Sequence, residues 1–295
     1  EPDHIVVFEM SSFQLWDLEK SPHGAVVLMI EQDHLNVHAG PSDYVGAKAN
    51  IRRYQTADDF CVYHPTNAFS AEIARSSNAN HPVRYGIPDD GQVYVKDGMF
   101  YKGETPICST DALHLPGQHN IENACAAISA ALHVVDDYSS IEAGLRSFEG
   151  LPHRLELVRE LDGVRYYNDS FSSAPGATVA AIKSFTVPEI IILGGIDKGA
   201  DFTDLAETFK AAQNVKQLIV VGEIRQQLAE FLVGHDVTQP IEVSEVRTME
   251  AIVARARGYA EPGDVVILSP GCASFDMFRD FYDRGDQFRS IVQGL

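Results

Sequence analysis

The chain has 295 residues, 45% hydrophobic and 22% charged, a composition that excludes a disordered or fibrous protein and fits about two ordinary domains. Its formal charge is −19 and neither half is basic, which argues against an extended contact with a nucleic-acid backbone. The longest apolar runs, such as Ala25–Ile30, fall far short of the ~20 residues of a membrane-spanning helix. The four cysteines, Cys61, Cys108, Cys125 and Cys272, form no C-x-x-C pair. That pattern suits a reducing, cytosolic setting and offers neither a zinc site nor a disulfide framework.

Apolar runs that alternate with helical periodicity predict an α/β architecture with a largely parallel sheet. Residue 1 is Glu, and the chain enters the strand pattern Ile5–Glu9 at once, so an upstream part is expected to precede it. Further strands are predicted at Ala25–Ile30 and Phe60–Tyr63. In a β-rich patch at 81–107, Asp97-Gly98 marks a hairpin between Val93–Val95 and Met99–Tyr101. Helices are predicted over Asn120–Val134 and Ser140–Phe148. After Gly150-Leu151-Pro152 the pattern restarts with strand Val164–Asn168 and helix Gly176–Phe185, then strand Ile190–Leu193 and helix Phe202–Ala212. Strand Gln217–Val221 with helix Ile224–Val233, and strand Val265–Leu268 with helix Asp276–Val292, complete a doubly wound series. The boundary is placed near 150, giving domains 1–150 and 151–295.

Open sheets of this kind gather ligands beyond the carboxyl ends of their strands, which directs attention to the residues there. Glu9 either holds Mg²⁺ through a carboxylate oxygen or simply precedes a helix capped by Ser11 or Ser12. His34, beside Asp33, is a ligand, a base or a structural histidine. Lys48 lies on a predicted helix, Tyr44–Asn50, where lysines are ordinarily solvated. Asn120 and Asn123 share a helix face and suit an adenine or ribose, or else Asn120 is a cap. Arg154, at the domain junction, can clamp a phosphate or carboxylate. Asp169 and the hydroxyls up to Ser173 suit an anion or ribose, or plain capping. Gly194–Phe202 is a glycine-rich loop with one cation, Lys198, and fits neither G-x-G-x-x-G nor a Walker A pattern. In Ser269–Ser274, the amides and Ser274 could bind a carboxylate at the start of the last helix. Cys272 reads as a packed small residue.

In chain order, Glu9–Leu15, Asp33-His34, Tyr44–Lys48, Leu115–Asn120, Gly150–Arg154, Asn168–Ser170, Leu193–Gly195 with Lys198, and Ser269-Pro270 with Cys272–Ser274 resemble the Mur ligases, most of all the glutamate-adding branch. The resemblance runs collinearly over essentially the whole chain. It implies a central P-loop-type ATPase domain, here truncated before its strand Glu9, and a Rossmann-like C-terminal domain. The implied activity is ATP-dependent amide formation in peptidoglycan precursor synthesis, with UDP-muramoyl-alanine and glutamate as substrates. The implied protein is cytoplasmic and monomeric, with no nucleic-acid or membrane partner. By the resemblance, Glu9, His34 and a carbamylated Lys48 hold Mg²⁺ and serve catalysis. Asn120 and Asn123 line the base pocket of ATP, and Arg154 and Asp169 contact its phosphate and ribose. Lys198 and Ser274 contact the amino acid, with Ser173 beside them and Phe275 and Phe281 as walls.

Two departures stand out. The chain contains no Gly-Lys dipeptide, so the loop G-x-x-x-x-G-K-[ST] is absent from it, and alone it is expected neither to bind ATP tightly nor to turn over. Phe171 stands where the branch usually carries Lys, which leaves the amino acid and its chirality open. A folylpolyglutamate-synthase-like ligase and a non-catalytic pseudo-ligase are the alternatives. The Ser11–Leu15 run and the Leu151–Arg154 junction favour the muramoyl branch.

Overall fold

The computed structural model describes residues 4–30, 38–88 and 92–295. The chain divides into two compact units, one formed by Glu1–Leu113 with Asn120–Phe148, the other by His114–His119 with Glu149–Leu295.

In the first unit, strands β1 (Gly24–Val27), β2 (Phe60–Tyr63) and β3 (Val83–Arg84) form a parallel sheet in that order. Helix α1 (Ser12–Leu15) packs on α2 (Pro41–Arg53), and α2 on α3 (Ala68–Ala74). One layer of core joins Ala25, Val27 and Cys61 to Tyr44, Val45, Ala49 and Ile73 from these helices. Val62, pointing the other way, joins a second layer with α4 (Gln118–Ala131), α5 (Tyr138–Ser147) and the antiparallel sheet of β4 (Val93–Lys96), β5 (Met99–Lys102) and β6 (Thr105–Ser109). The hairpin between β4 and β5 turns at Asp97 (φ 49°) and Gly98 (φ 73°), two left-handed residues in succession, which matches the twist of the flanking strands.

The expected strand Ile5–Glu9 does not form. Residues 4–10 are irregular, and Ile5, Val6, Val7 and Phe8 are exposed, Val7 to 93%. An apolar run becomes a strand only where a neighbour takes up its amides and carbonyls, and this run pairs with no strand among the described residues.

The second unit is built on a six-stranded sheet, β7 (Glu156–Leu161), β8 (Val164–Asn168), β9 (Glu189–Gly194), β10 (Val215–Val221), β11 (Ile241–Val243) and β12 (Val265–Leu268). The spatial order is β11-β10-β9-β12-β8-β7, all parallel except the β7 edge. Alternation along the central strands covers both faces. Ile190, Ile192, Val266 and Leu268 pack on α9 (Met249–Tyr259) and α10 (Phe281–Gly294). Ile191, Leu193, Leu218 and Val220 pack on α6 (Pro175–Ile182), α7 (Thr203–Ala211) and α8 (Arg225–Gly234). Because β12 inserts between β9 and β8, the loops leaving these three strands lie side by side at one end of the sheet.

All four cysteines are free and buried. Burial pushes the Cys61 thiol up to about 11 and those of Cys125 and Cys272 up to about 12, and it raises Cys108 as well. None is poised as a nucleophile.

Candidate functional site

In the first unit, Ser11 caps α1 in a reciprocal box with Gln14, so the chain after exposed Glu9 enters a capped helix. His34 lies outside the described residues. Lys48 is half-buried on α2, its Nζ 5.0 Å from the centre of the Tyr44 ring. His38, a residue that sequence reasoning passed over, joins the two helices. Its buried ring stacks on Trp16 at 4.4 Å, with Nε2 3.0 Å from Ser12 Oγ and Nδ1 3.2 Å from Asp43 Oδ2. A carboxylate only accepts, so Nδ1 carries a proton toward Asp43.

Asn120 is half-buried inside the first turn of α4, which starts at Gln118, so it does not cap the helix; Asn123 is exposed one turn on. Between them, Glu122 reaches His64, at the carboxyl end of β2, at 3.5 Å.

In the second unit, Arg154 is exposed between two residues with left-handed backbone, His153 (φ 63°) and Leu155 (φ 43°). Non-glycine residues hold that conformation only when their surroundings impose it. Here the amide of Leu155 donates to Asp169 Oδ1, and Asn168 Nδ2 donates to Nδ1 of His153. His153 is therefore the Nε2–H tautomer, and burial lowers its pKa. The Arg154 guanidinium lies 5.6 Å over the ring of Phe171, which is half-exposed and meets Phe281 edge-on at 5.1 Å.

Asp169 is 2% exposed, and Ser172 Oγ (2.6 Å) and Ser269 Oγ (2.8 Å) both donate to its Oδ2. With the Leu155 amide on Oδ1, both oxygens are engaged inside the protein. Desolvation outweighs these donors and pushes the carboxyl up to about 6. Ser173 is exposed.

The glycine-rich loop does not offer its amides as an anion cradle. Asp197 Oδ1 accepts from both Gly199 and Ala200, at 2.9 Å each. Its cation is presented, with exposed Lys198 holding Nζ 5.1 Å from the ring of Phe275, itself 60% exposed. The Ser269–Ser274 loop also departs from expectation. The last helix starts at Phe281, capped by Asp280, not at Asp276. The amide of Gly271 donates to Ser172 O and that of Ala273 to Ile196 O, so these groups zip the loop to its neighbours. Ser274 is buried. Gly195 is obligatory in this zipper, since a Cβ there would stand 2.1 Å from Ala273 O.

The structure thus brings the β8, β9 and β12 loops together with Arg154, Asp169, Ser173, Lys198, Ser274, Phe275 and Phe281 around one end of the second sheet. Among the described residues, no three His, Cys, Asp or Glu side chains gather as a metal site, and no helix is long and apolar enough to cross a membrane.

Comparison with known proteins matches residues 2–131 to the Mur ligase middle domain and residues 153–272 to the Mur ligase glutamate ligase domain. The UDP-N-acetylmuramoylalanine–D-glutamate ligase of Acetivibrio thermocellus is 37% identical over 301 residues, which cover 98% of this chain and 64% of that protein. The enzyme of the same name from Symbiobacterium thermophilum is 38% identical, covering 99% of this chain and 65% of its own length. The chain therefore spans just under two thirds of the length of these curated relatives. Among solved structures, MurF from Acinetobacter baumannii superposes with a TM-score of 0.68 at 17% identity, covering 93% of this chain and 61% of that one. UDP-N-acetylmuramate-alanine ligase MurC from Thermotoga maritima gives 0.67 at 14% identity, covering 96% and 62%. At such identities the structures speak for the fold alone, an α/β fold shared with the Mur ligases. The two matched domains, in order and over most of the sequence, place the chain in the Mur ligase family, of which it carries the middle and C-terminal domains.

Proposed function

We propose that the protein is an ATP-dependent ligase that joins glutamate, as the D enantiomer, to UDP-N-acetylmuramoyl-L-alanine in peptidoglycan precursor synthesis. The observation that carries this reading is the convergence of Lys198, Ser274, Phe275 and Phe281 on one end of the second sheet. The name shared by the curated relatives supports it and favours a muramoyl over a pterin substrate. The carboxylate of the muramoyl substrate attacks the γ-phosphorus of ATP, and ADP leaves with the electrons of the broken P–O bond. The amine of glutamate adds to the acyl phosphate carbon and loses a proton. The tetrahedral adduct then expels phosphate to leave the amide. Asn120 and Asn123 are assigned to the nucleotide base and Arg154 to its phosphates. Asp169 acts from within, holding the backbone that projects Arg154. Lys198 supplies positive charge to a carboxylate of glutamate, Ser274 and exposed Ser173 supply hydroxyls, and Phe275 and Phe281 bound the pocket.

Mg²⁺ takes oxygen ligands, which the carboxylate of Glu9 and a carbamylated Lys48 would supply, with the His34 imidazole as the less usual nitrogen donor, and these are the residues that would hold it. When bound, Mg²⁺ offsets the negative charge collected at the phosphoryl group. We place the reaction in the cytoplasm, in a monomer with small-molecule substrates and no nucleic-acid or membrane partner. The test is turnover of the full-length protein with ATP, UDP-muramoyl-alanine and glutamate. Lys48→Ala is expected to abolish it, with no rescue by added bicarbonate. Activity at the level of the unaltered protein would reject the assignment of Lys48.

A further inference from the structure

We propose that Arg284 is the positioning residue of the amino-acid pocket, tying the strand-end loops and the start of α10 into one frame. The proposal rests on the reading of the pocket given above.

Arg284 lies in the first turn of α10 and is only 3% exposed. Its Nε donates to Ser170 Oγ at 2.9 Å, Nη2 to Ser170 O at 2.8 Å and Nη1 to Cys272 O at 3.1 Å. Ser170 Oγ in turn donates to Phe281 O at 2.8 Å. Next to Cys272, Ala273 exchanges backbone bonds with Ile196, at 2.9 and 3.3 Å, in the loop that carries Lys198. One guanidinium therefore holds the β8 loop directly, the β12 loop directly and the β9 loop through Ala273. Ser173, Lys198, Ser274, Phe275 and Phe281 all lie on these segments, within a few residues of a bonded group.

Stability alone does not call for an arginine here. A buried cation loses its hydration, and well-packed apolar side chains often serve a core as well or better. All three acceptors are neutral oxygens, and although the carboxylates of Asp276 and Asp169 favour the charge without bonding it, burial outweighs them and lowers the guanidinium pKa. What the guanidinium supplies is direction, a planar fork of fixed donors that neither lysine nor methionine reproduces. Release of one loop moves the pocket walls against each other and loosens their grip on glutamate.

The experiment uses the full-length protein and compares Arg284→Lys with Ser170→Ala. Ser170→Ala removes only the hydroxyl link and leaves the backbone acceptor in place. Initial rates are measured against glutamate and against ATP, with thermal unfolding alongside. Both variants are expected to raise the KM for glutamate, about ten-fold or more, with kcat within about two-fold of the unaltered protein. The KM for ATP should show a several-fold smaller rise, since the β8 loop reaches ATP only through Arg154. If Arg284→Lys fails to fold, Ser170→Ala decides. An unchanged glutamate KM in the folded variants overturns the proposal while the ligase reading stands. Equal rises in both KM values with a lowered Tm also overturn it, as the mark of a purely structural arginine. Failure of the unaltered protein to turn over glutamate removes the ligase reading, and the positioning role falls with it.

Discussion

Glu189 opens β9 at the end of the sheet opposite the loops, fully buried, with Oε1 accepting from Asn214 Nδ2 at 2.6 Å. Its Oε2 has no hydrogen-bond partner among the described residues, and burial pushes the carboxyl up to about 8. The folded state thus keeps a proton that the unfolded chain releases near 4.5. Its stabilising contribution is complete below that value and is lost as pH rises through about 8. Glu189→Gln, which mimics the neutral acid, is expected to remove a decline on the order of a few kcal/mol between those limits. Urea midpoints measured across that pH range check this, and an unchanged slope in the variant would contradict it. Asp169 adds a smaller decline of the same sign, up to about 6. At the other end of the sheet, Lys198 is exposed, its charge resting over the Phe275 ring. Lys198→Ala should leave stability unchanged and raise the KM for glutamate about ten- to a hundred-fold, the loss of one charged contact of ~1.5–3 kcal/mol. A kinetic change confined to ATP would contradict that assignment.

At the scale of elements, α1 is a single turn, too short to persist without tertiary support. Its anchors are Asn50 of α2, whose Nδ2 donates to Leu15 O and Trp16 O, and the His38 ring, which stacks on Trp16 and bonds Ser12. His38→Ala should therefore loosen α1, leaving Asn50 as its remaining tie to α2, and destabilise the first unit by roughly 2–4 kcal/mol, since it leaves both a cavity and unpaired polar groups. Amide exchange over residues 11–16 is the direct measurement, and unaltered protection there would refute it. Strands β2, β8 and β12 are legible in the sequence to the residue, because each is rich in β-branched, aliphatic or aromatic side chains with turn signals beside it. β7 was missed because it is an edge strand that carries Glu156, Arg159 and Glu160. α9 and the three-residue β11 were missed as well, the strand for its brevity. The last helix was expected too early, because residues 275–280 share its composition and only the Asp280 cap marks its start. Candidate residues at strand ends could be found from the connectivity of the sheet. Arg284 and His38 could not, because a polar side chain on a helix face or in a loop reads as solvated until its neighbours are known.

For the whole molecule, the question is which amino acid the pocket accepts. Phe171 brings an aromatic ring, not a cation, to the β8 loop, and Arg154 lies over it. A panel of both glutamate enantiomers, aspartate and glutamine should show a preference for D-glutamate. Preferential use of the L enantiomer would transfer the assignment to a different branch chemistry while leaving the ligation step intact. The four sequestered thiols give the protein a built-in recorder of its own opening. Three of them, Cys61, Cys108 and Cys125, belong to the first unit, and Cys272 belongs to the second. An alkylating reagent reaches a thiol in the interior only when the surrounding segment opens, so the order in which these sulfurs acquire the label reports which half of the chain loosens first.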